Sequence, residues 1–142
     1  MILVDTTVLS YAVGDEHTLR EPCRRLLRAH GDGHIEAATT IEVVQEFVHV
    51  RARRRSRTDA ARLARHYMAA LSLVVTRAED LDLGVTLFER QTSLGAFDSV
   101  LAAVALNQRA EALVSADQAF GEVPDLPWVD PATPKLARLI GR

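Results

Sequence analysis

Four acidic residues sit where they could do chemistry together: Asp5 in ILVDTTVL, Glu46 in TTIEVVQEF, Asp98 in GAFDSVLAAVAL and Asp117 in LVSADQAF. Carboxylates brought to one place repel, and some are pushed to hold protons at neutral pH. A divalent cation removes that conflict. An all-oxygen ligand set suits Mg2+, or Mn2+, rather than zinc. Such an ion bridges phosphate oxygens and makes its bound water a better nucleophile, so the pattern points to hydrolysis of phosphodiesters. Each aspartate also has a plain structural use, because all three stand where a helix or turn begins and could serve as ordinary caps.

The fourth acid has two candidates. Glu42 and Glu46 are one helical turn apart and share a face. Thr39 and Glu42 match a capping box, in which the glutamate reaches back to the cap's own amide. That gives Glu42 a sufficient structural role. Glu46 falls mid-helix among Val43, Val44, Phe47 and Val50, where a carboxylate needs a partner or solvent. A metal would be such a partner. Glu46 is therefore the preferred ligand, with Glu42 supporting it or standing as the alternative.

These residues need elements to position them. Met1–Asp5, Ile35–Thr39, Leu71–Thr76 and Ala112–Asp117 are short apolar runs that read as buried strands, with Leu126–Asp130 a fifth candidate. Helical spacing predicts helices over Thr7–Val13, Leu19–His30, Thr40–Arg55, Thr58–Leu71, Ala78–Thr92 and Phe97–Arg109. Pro131 and Pro134 punctuate the C-terminus. Short strands alternating with amphipathic helices imply an α/β fold: three α/β/α layers around a short, mainly parallel sheet of four to five strands. Ligands of such sheets bind beyond the carboxyl ends of the strands. Asp5 and Asp117 end two strands, and Asp98 starts a helix that returns to that edge. The three aspartates thus converge on one rim.

Composition sets the outer limits. The 142 residues fit a single domain, 1–142, and 48% apolar content is enough for a core. A net charge of −2 gives no global basic signature, so a nucleic-acid partner would need a local patch. Arg51, Arg53, Arg54 and Arg55 in VRARRRSR offer one; the same residues also read as a solvated helix end whose cations complement the dipole. Cys23 is the only cysteine. No intrachain disulfide is available, a reducing compartment such as the cytoplasm is expected, and the thiol reads as core. There is no secretory leader pattern and no apolar run near the roughly 18 residues of a membrane helix. His30 and His34 flank GDG with no HExxH, so zinc catalysis is not indicated and both are expected in solvent. Trp128 is expected to pack. A dehalogenase-type phosphatase needs a second aspartate where Thr7 stands. A receiver domain needs one after the third strand, where VVTRA follows.

Taken together, ILVDTTVL, TTIEVVQEF, LGAFDSVLAAVA and LVSADQAF resemble the four motifs of PIN-domain ribonucleases, in particular VapC-type toxins of bacterial type II toxin–antitoxin pairs. The resemblance covers essentially the whole chain. It implies the PIN-like α/β/α fold and Mg2+- or Mn2+-dependent endoribonuclease action. It also implies a homodimer, and neutralisation by a small antitoxin that inserts a tail near the site. By the same resemblance Asp5, Glu46, Asp98 and Asp117 are the catalytic and metal-binding acids, and Thr7 steadies a ligand or water. Ser115 is expected to act similarly, and the arginine patch becomes a candidate contact for RNA or antitoxin. Attack by water implies 5′-phosphate and 3′-hydroxyl ends. The alternative is a non-catalytic PIN-like module that binds RNA or a protein partner. The presence of all four acids speaks against it.

Overall fold

In a parallel sheet covered on both faces, strands are near-continuous apolar runs. β1 (Ile2–Val4) is such a run, and all three of its residues are buried. It lies at the centre of a five-stranded sheet in a computed structural model that describes residues 1–141. β2 (Ala37–Thr40) and β4 (Ala112–Val114) pair with it in parallel, Ile2 standing opposite Ala37 and Ala112. β3 (Ser72–Val74) adds beside β2, and β5 (Trp128–Val129) beside β4. The order is β3-β2-β1-β4-β5. The chain therefore steps outward from β1 to β3, then crosses back over two strands to β4. Parallel crossovers are right-handed, so these opposite steps place their helices on opposite faces.

The helices are α1 (Thr6–Val13), α2 (Arg20–Gly31), α3 (Ile41–Arg54), α4 (Arg57–Ala70), α5 (Ala78–Arg90), α6 (Ala96–Asn107) and α7 (Pro134–Ile140). α1 packs against both α2 and α3, and α3 against α4, while α5 and α6 pack as a separate pair. That pair is close because Gly84 has no side chain: a Cβ there would lie 2.8 Å from a Val100 methyl. Asp80, itself fully buried, accepts bonds from the Arg77 amide and the Asn107 side chain, both at 2.8 Å, and so fixes the start of α5 against the end of α6. On the other face, Phe47 and Tyr67 meet edge to face at 5.2 Å, and the Tyr67 hydroxyl donates to Leu9 O at 2.8 Å. Among the described residues, no helix is long and apolar enough to cross a membrane.

Several expectations shift. β2 runs through Thr39 to Thr40, and the Thr39 hydroxyl donates to Val4 O at 2.8 Å. Thr40 is the N-cap of α3, its Oγ1 accepting from the Val43 amide at 3.2 Å. The expected capping box between Thr39 and Glu42 is therefore not formed. α7 was not expected; Pro134 begins it, because a missing amide proton costs nothing at the first helical position. His30 is not in solvent. Its Nδ1 accepts from the Ala37 amide at 3.1 Å, which leaves Nε2 to donate to Ala70 O at 2.8 Å. Cys23 is buried as expected, and burial pushes its thiol up to about 12, which makes it no nucleophile.

Candidate active site

The order of strands puts the reversal of direction between β1 and β4, which is where open α/β sheets bind ligands. Asp5 follows β1 there and is 4% exposed. It occupies the N-cap position of α1, yet its side chain caps nothing. Its Oδ2 instead accepts from Ser115 Oγ at 2.6 Å and from Thr7 Oγ1 at 3.1 Å. Each hydroxyl has one proton, and both protons go to Asp5. The lone pairs of the same hydroxyls take amides from the tip of β4: Asp117 N to Ser115 at 3.0 Å, and Ala116 N to Thr7 at 3.0 Å. Trp128, from the edge strand, donates its indole proton to Ser115 O at 3.0 Å. Thr7 and Ser115 thus brace Asp5. Trp128 braces that pair in turn, in addition to packing against Gly121.

Asp98 sits in the first turn of α6, where the helix dipole favours an anion. Burial raises its pKa, the charges of Asp5, Asp117 and Glu46 add to the rise, and the carboxyl is pushed up to about 7. Burial also raises Asp5; the Ser115 and Thr7 bonds oppose this, and the Glu46 charge adds to it. Asp117 lies three residues past the end of β4 and uses Oδ1 to cap the next turn, accepting from Ala119 N at 3.0 Å. Its structural use and its place on the rim are both real. Glu46 reaches the rim from α3. Thr6, a residue the sequence did not single out, donates to Glu46 Oε2 at 2.7 Å.

Two cavities meet at these acids. One, of about 500 Å³, lies between the start of α3, the Thr76–Ala78 segment and the starts of α5 and α6. The other, of about 390 Å³, lies between α1 and α3. Asp5, Glu46 and Asp98 line both, Asp117 lines only the second, and Glu42 only the first. Glu42 Oε2 is the one buried side-chain polar atom with no hydrogen-bond partner among the described residues. Among the described residues, no three of these carboxylates stand close enough together to hold one ion directly. That arrangement fits a hard cation that keeps several waters and takes only one or two direct carboxylates.

The arginine patch divides. Arg51 is mostly buried; it bonds Asp59 at 2.5 Å and Val13 O at 3.1 Å, and so ties α3 to α4 and to the end of α1. It is a strut between these helices. Arg55 pairs with Asp15 at 2.6 Å. Arg53 and Arg54 are exposed and form no ion pair among the described residues. Arg54 faces the cavity between α1 and α3.

A fold with this strand order and an acid ring at its reversal point is that of the PIN domain, whose family model matches residues 2–126. The chain belongs to that family. Within it, the chain is 51% identical to Ribonuclease VapC7 of Mycobacterium tuberculosis (strain ATCC 25618 / H37Rv) over 99% of both chains. It is 37% identical to Ribonuclease VapC23 of the same organism, over 69% of this chain and 78% of that one. Among solved structures, it resembles VapBC2 from Rickettsia felis bound to a promoter DNA fragment, with a TM-score of 0.72 at 18% identity, covering 92% of this chain and 98% of that one. It also resembles the sarcin-ricin-loop-cleaving toxin VapC20 of M. tuberculosis, with a TM-score of 0.71 at 15% identity, covering 85% and 93%.

Proposed function

We propose that this chain is an endoribonuclease toxin of a toxin–antitoxin pair, acting as one PIN domain in the cytoplasm. The observation that carries the reading is the burial of Asp98 beside Asp5, Asp117 and Glu46: burial raises its carboxyl most, the three charges add to the rise, and together they hold it near 7. So costly a cluster on a braced scaffold is of use where a cation will meet it. The near full-length likeness to Ribonuclease VapC7 supports RNA as substrate. Asp5, Asp98, Glu46 and Asp117 would hold Mg2+ or Mn2+. A bound ion of this kind supplies an acidified water and a counter-charge for phosphate. The chain's own contribution is position. Ser115 and Thr7 fix the Asp5 carboxylate, Thr6 fixes Glu46, and the first turn of α6 presents Asp98.

Glu46 is the glutamate of the set, because it faces both cavities and raises the pKa of Asp5 and Asp98 through its charge. Glu42 supports from one side. The reading includes a homodimer. Leu81, Val85 and Phe88 form an exposed stripe on α5, and Phe97, 81% exposed, continues it to the residue beside Asp98. Contiguous apolar surface of this kind marks an interface. It also includes a small cognate antitoxin, supported by the likeness to toxin–antitoxin structures. Mapping RNA ends after brief induction tests the whole. New 5′-phosphate and 3′-hydroxyl ends at discrete sites are expected; cyclic-phosphate ends, or none, would refute it.

A further inference from the structure

The groove between α1 and α3 has a composition that metal-dependent hydrolysis alone does not explain. One wall is the face of α1 carrying Thr7, Ser10, Tyr11 and Gly14; the other is the face of α3 carrying Glu46, Val50 and Arg54. Glu46 and Arg54 are two turns apart, about 12 Å along the axis. The rim acids close one end of the groove; at the other the unpaired Arg54 guanidinium stands with Glu16 and with Asp15, whose charge Arg55 meets. Between these ends Tyr11 stacks on His17, with ring centroids 4.6 Å apart and planes at 29°. The His17 ring is fixed: its Nδ1 accepts from the Leu19 amide at 3.1 Å. It is also exposed, so the stack offers a ring to solvent. The volume, about 390 Å³, is that of a small-ligand site.

A polyanion whose scissile phosphate lies at the acids has its next phosphates within reach of a cation farther along. Its bases need a flat apolar face. Proteins that hold single strands combine cations along the backbone with aromatic platforms; here Arg54 and the Tyr11–His17 stack offer one of each. We propose that this groove seats the RNA nucleotides flanking the scissile phosphate, with a base on the Tyr11–His17 stack and a phosphate on Arg54. The proposal rests on the endoribonuclease reading and adds to it the path of the strand.

The test measures binding of a fluorescent single-stranded RNA by anisotropy with divalent ions chelated, so that no cleavage competes, across a salt series. Arg54→Ala should weaken binding and lower the salt slope by about 0.7, the share of one phosphate in a single strand. His17→Ala should weaken binding roughly fivefold or more with the slope unchanged, and His17→Phe should restore it, because stacking needs the ring and not the imidazole. All three variants should keep the wild-type melting temperature. Wild-type binding by both alanine variants overturns the proposal. So does wild-type RNA binding with lost affinity for the antitoxin, which would make the groove the antitoxin's seat. A wild-type protein that cuts no RNA in magnesium would sink the endoribonuclease reading itself, a separate result.

Discussion

At the tips of β1 and β4, Asp5 accepts the protons of two hydroxyls, and those hydroxyls in turn take two amides. At the start of α3, Glu42 has a buried oxygen with no partner, and Glu46 is held by Thr6. The first region is complete as protein. The second is not. Where every polar atom is satisfied, geometry is set before anything binds, which is what a ligand-positioning corner requires. Where a carboxylate is under-satisfied, its preferred partner is a cation or a ligand's donor. The rim thus joins a rigid half, at Asp5, to an adjustable half, in which Thr6 holds Glu46 while the buried oxygen of Glu42 still lacks a partner.

The largest effect should come from the rigid half. Asp5→Asn removes a ligand charge from its most constrained position and should abolish nearly all RNA cleavage while the fold survives. Cleavage of total RNA and a thermal melt check both parts. In the adjustable half the two glutamates should separate. Glu46→Gln keeps shape and loses charge beside Asp5 and Asp98, and should lose nearly all cleavage and toxicity. Glu42→Gln should keep most of both. The reverse order would move the glutamate ligand to Glu42 and break the division drawn here.

A smaller effect tests the brace itself. Ser115→Ala leaves every acid in place but removes the 2.6 Å bond to Asp5 and the acceptor of the Asp117 amide. Positioning partners of metal ligands are worth roughly 10–100-fold in activity or metal affinity. A loss in that range, with a higher metal concentration needed for half-maximal rate, is expected. No change would show that the hydroxyls are ornamental.

The smallest effect is on stability without metal. The Asp98 carboxyl is held at about 7, above its ordinary 3.8, so the folded state keeps a proton that the unfolded chain has released between those values. The stability this contributes is fully present below the unfolded value and is lost as pH rises through the folded one. Chelated protein should therefore melt lower at about pH 8 than at about pH 5, and Asp98→Asn should flatten that fall. Parallel melting curves for the two proteins would contradict the crowding.

How far the site was legible follows from the same contrast. Asp5, Asp98 and Asp117 could be read because two apolar strand segments run up to a charged residue and an apolar helix begins with one. Local signals of that kind survive in a linear sequence. The start of α3 was misplaced by one residue because Thr39 and Thr40 can both cap. The sheet decides between them, pairing Thr39 with Leu73 and giving its hydroxyl to Val4. Glu46 was preferred on two grounds, its apolar setting and the capping role given to Glu42, and the second falls with the shifted helix start. Thr6 was missed because its partner lies 40 residues away and no periodicity marks it. The arginines could not be sorted for the same reason: Arg55 finds Asp15 across 40 residues, and Arg51 is tied to Val13 across 38. Helix α7 was hidden behind Pro134, which reads as a breaker but also starts helices.

The central claim, that these carboxylates are arranged for a divalent cation that drives RNA hydrolysis, is tested most directly by one measurement: cleavage of a defined RNA by the purified protein, freed of its antitoxin, first with divalent ions chelated and then with Mg2+ or Mn2+ restored. The account predicts no cleavage in chelator and full recovery on re-addition, with Asp98→Asn inactive in both conditions. Cleavage that persists in chelator, or an Asp98→Asn protein that recovers with the metal, would contradict it.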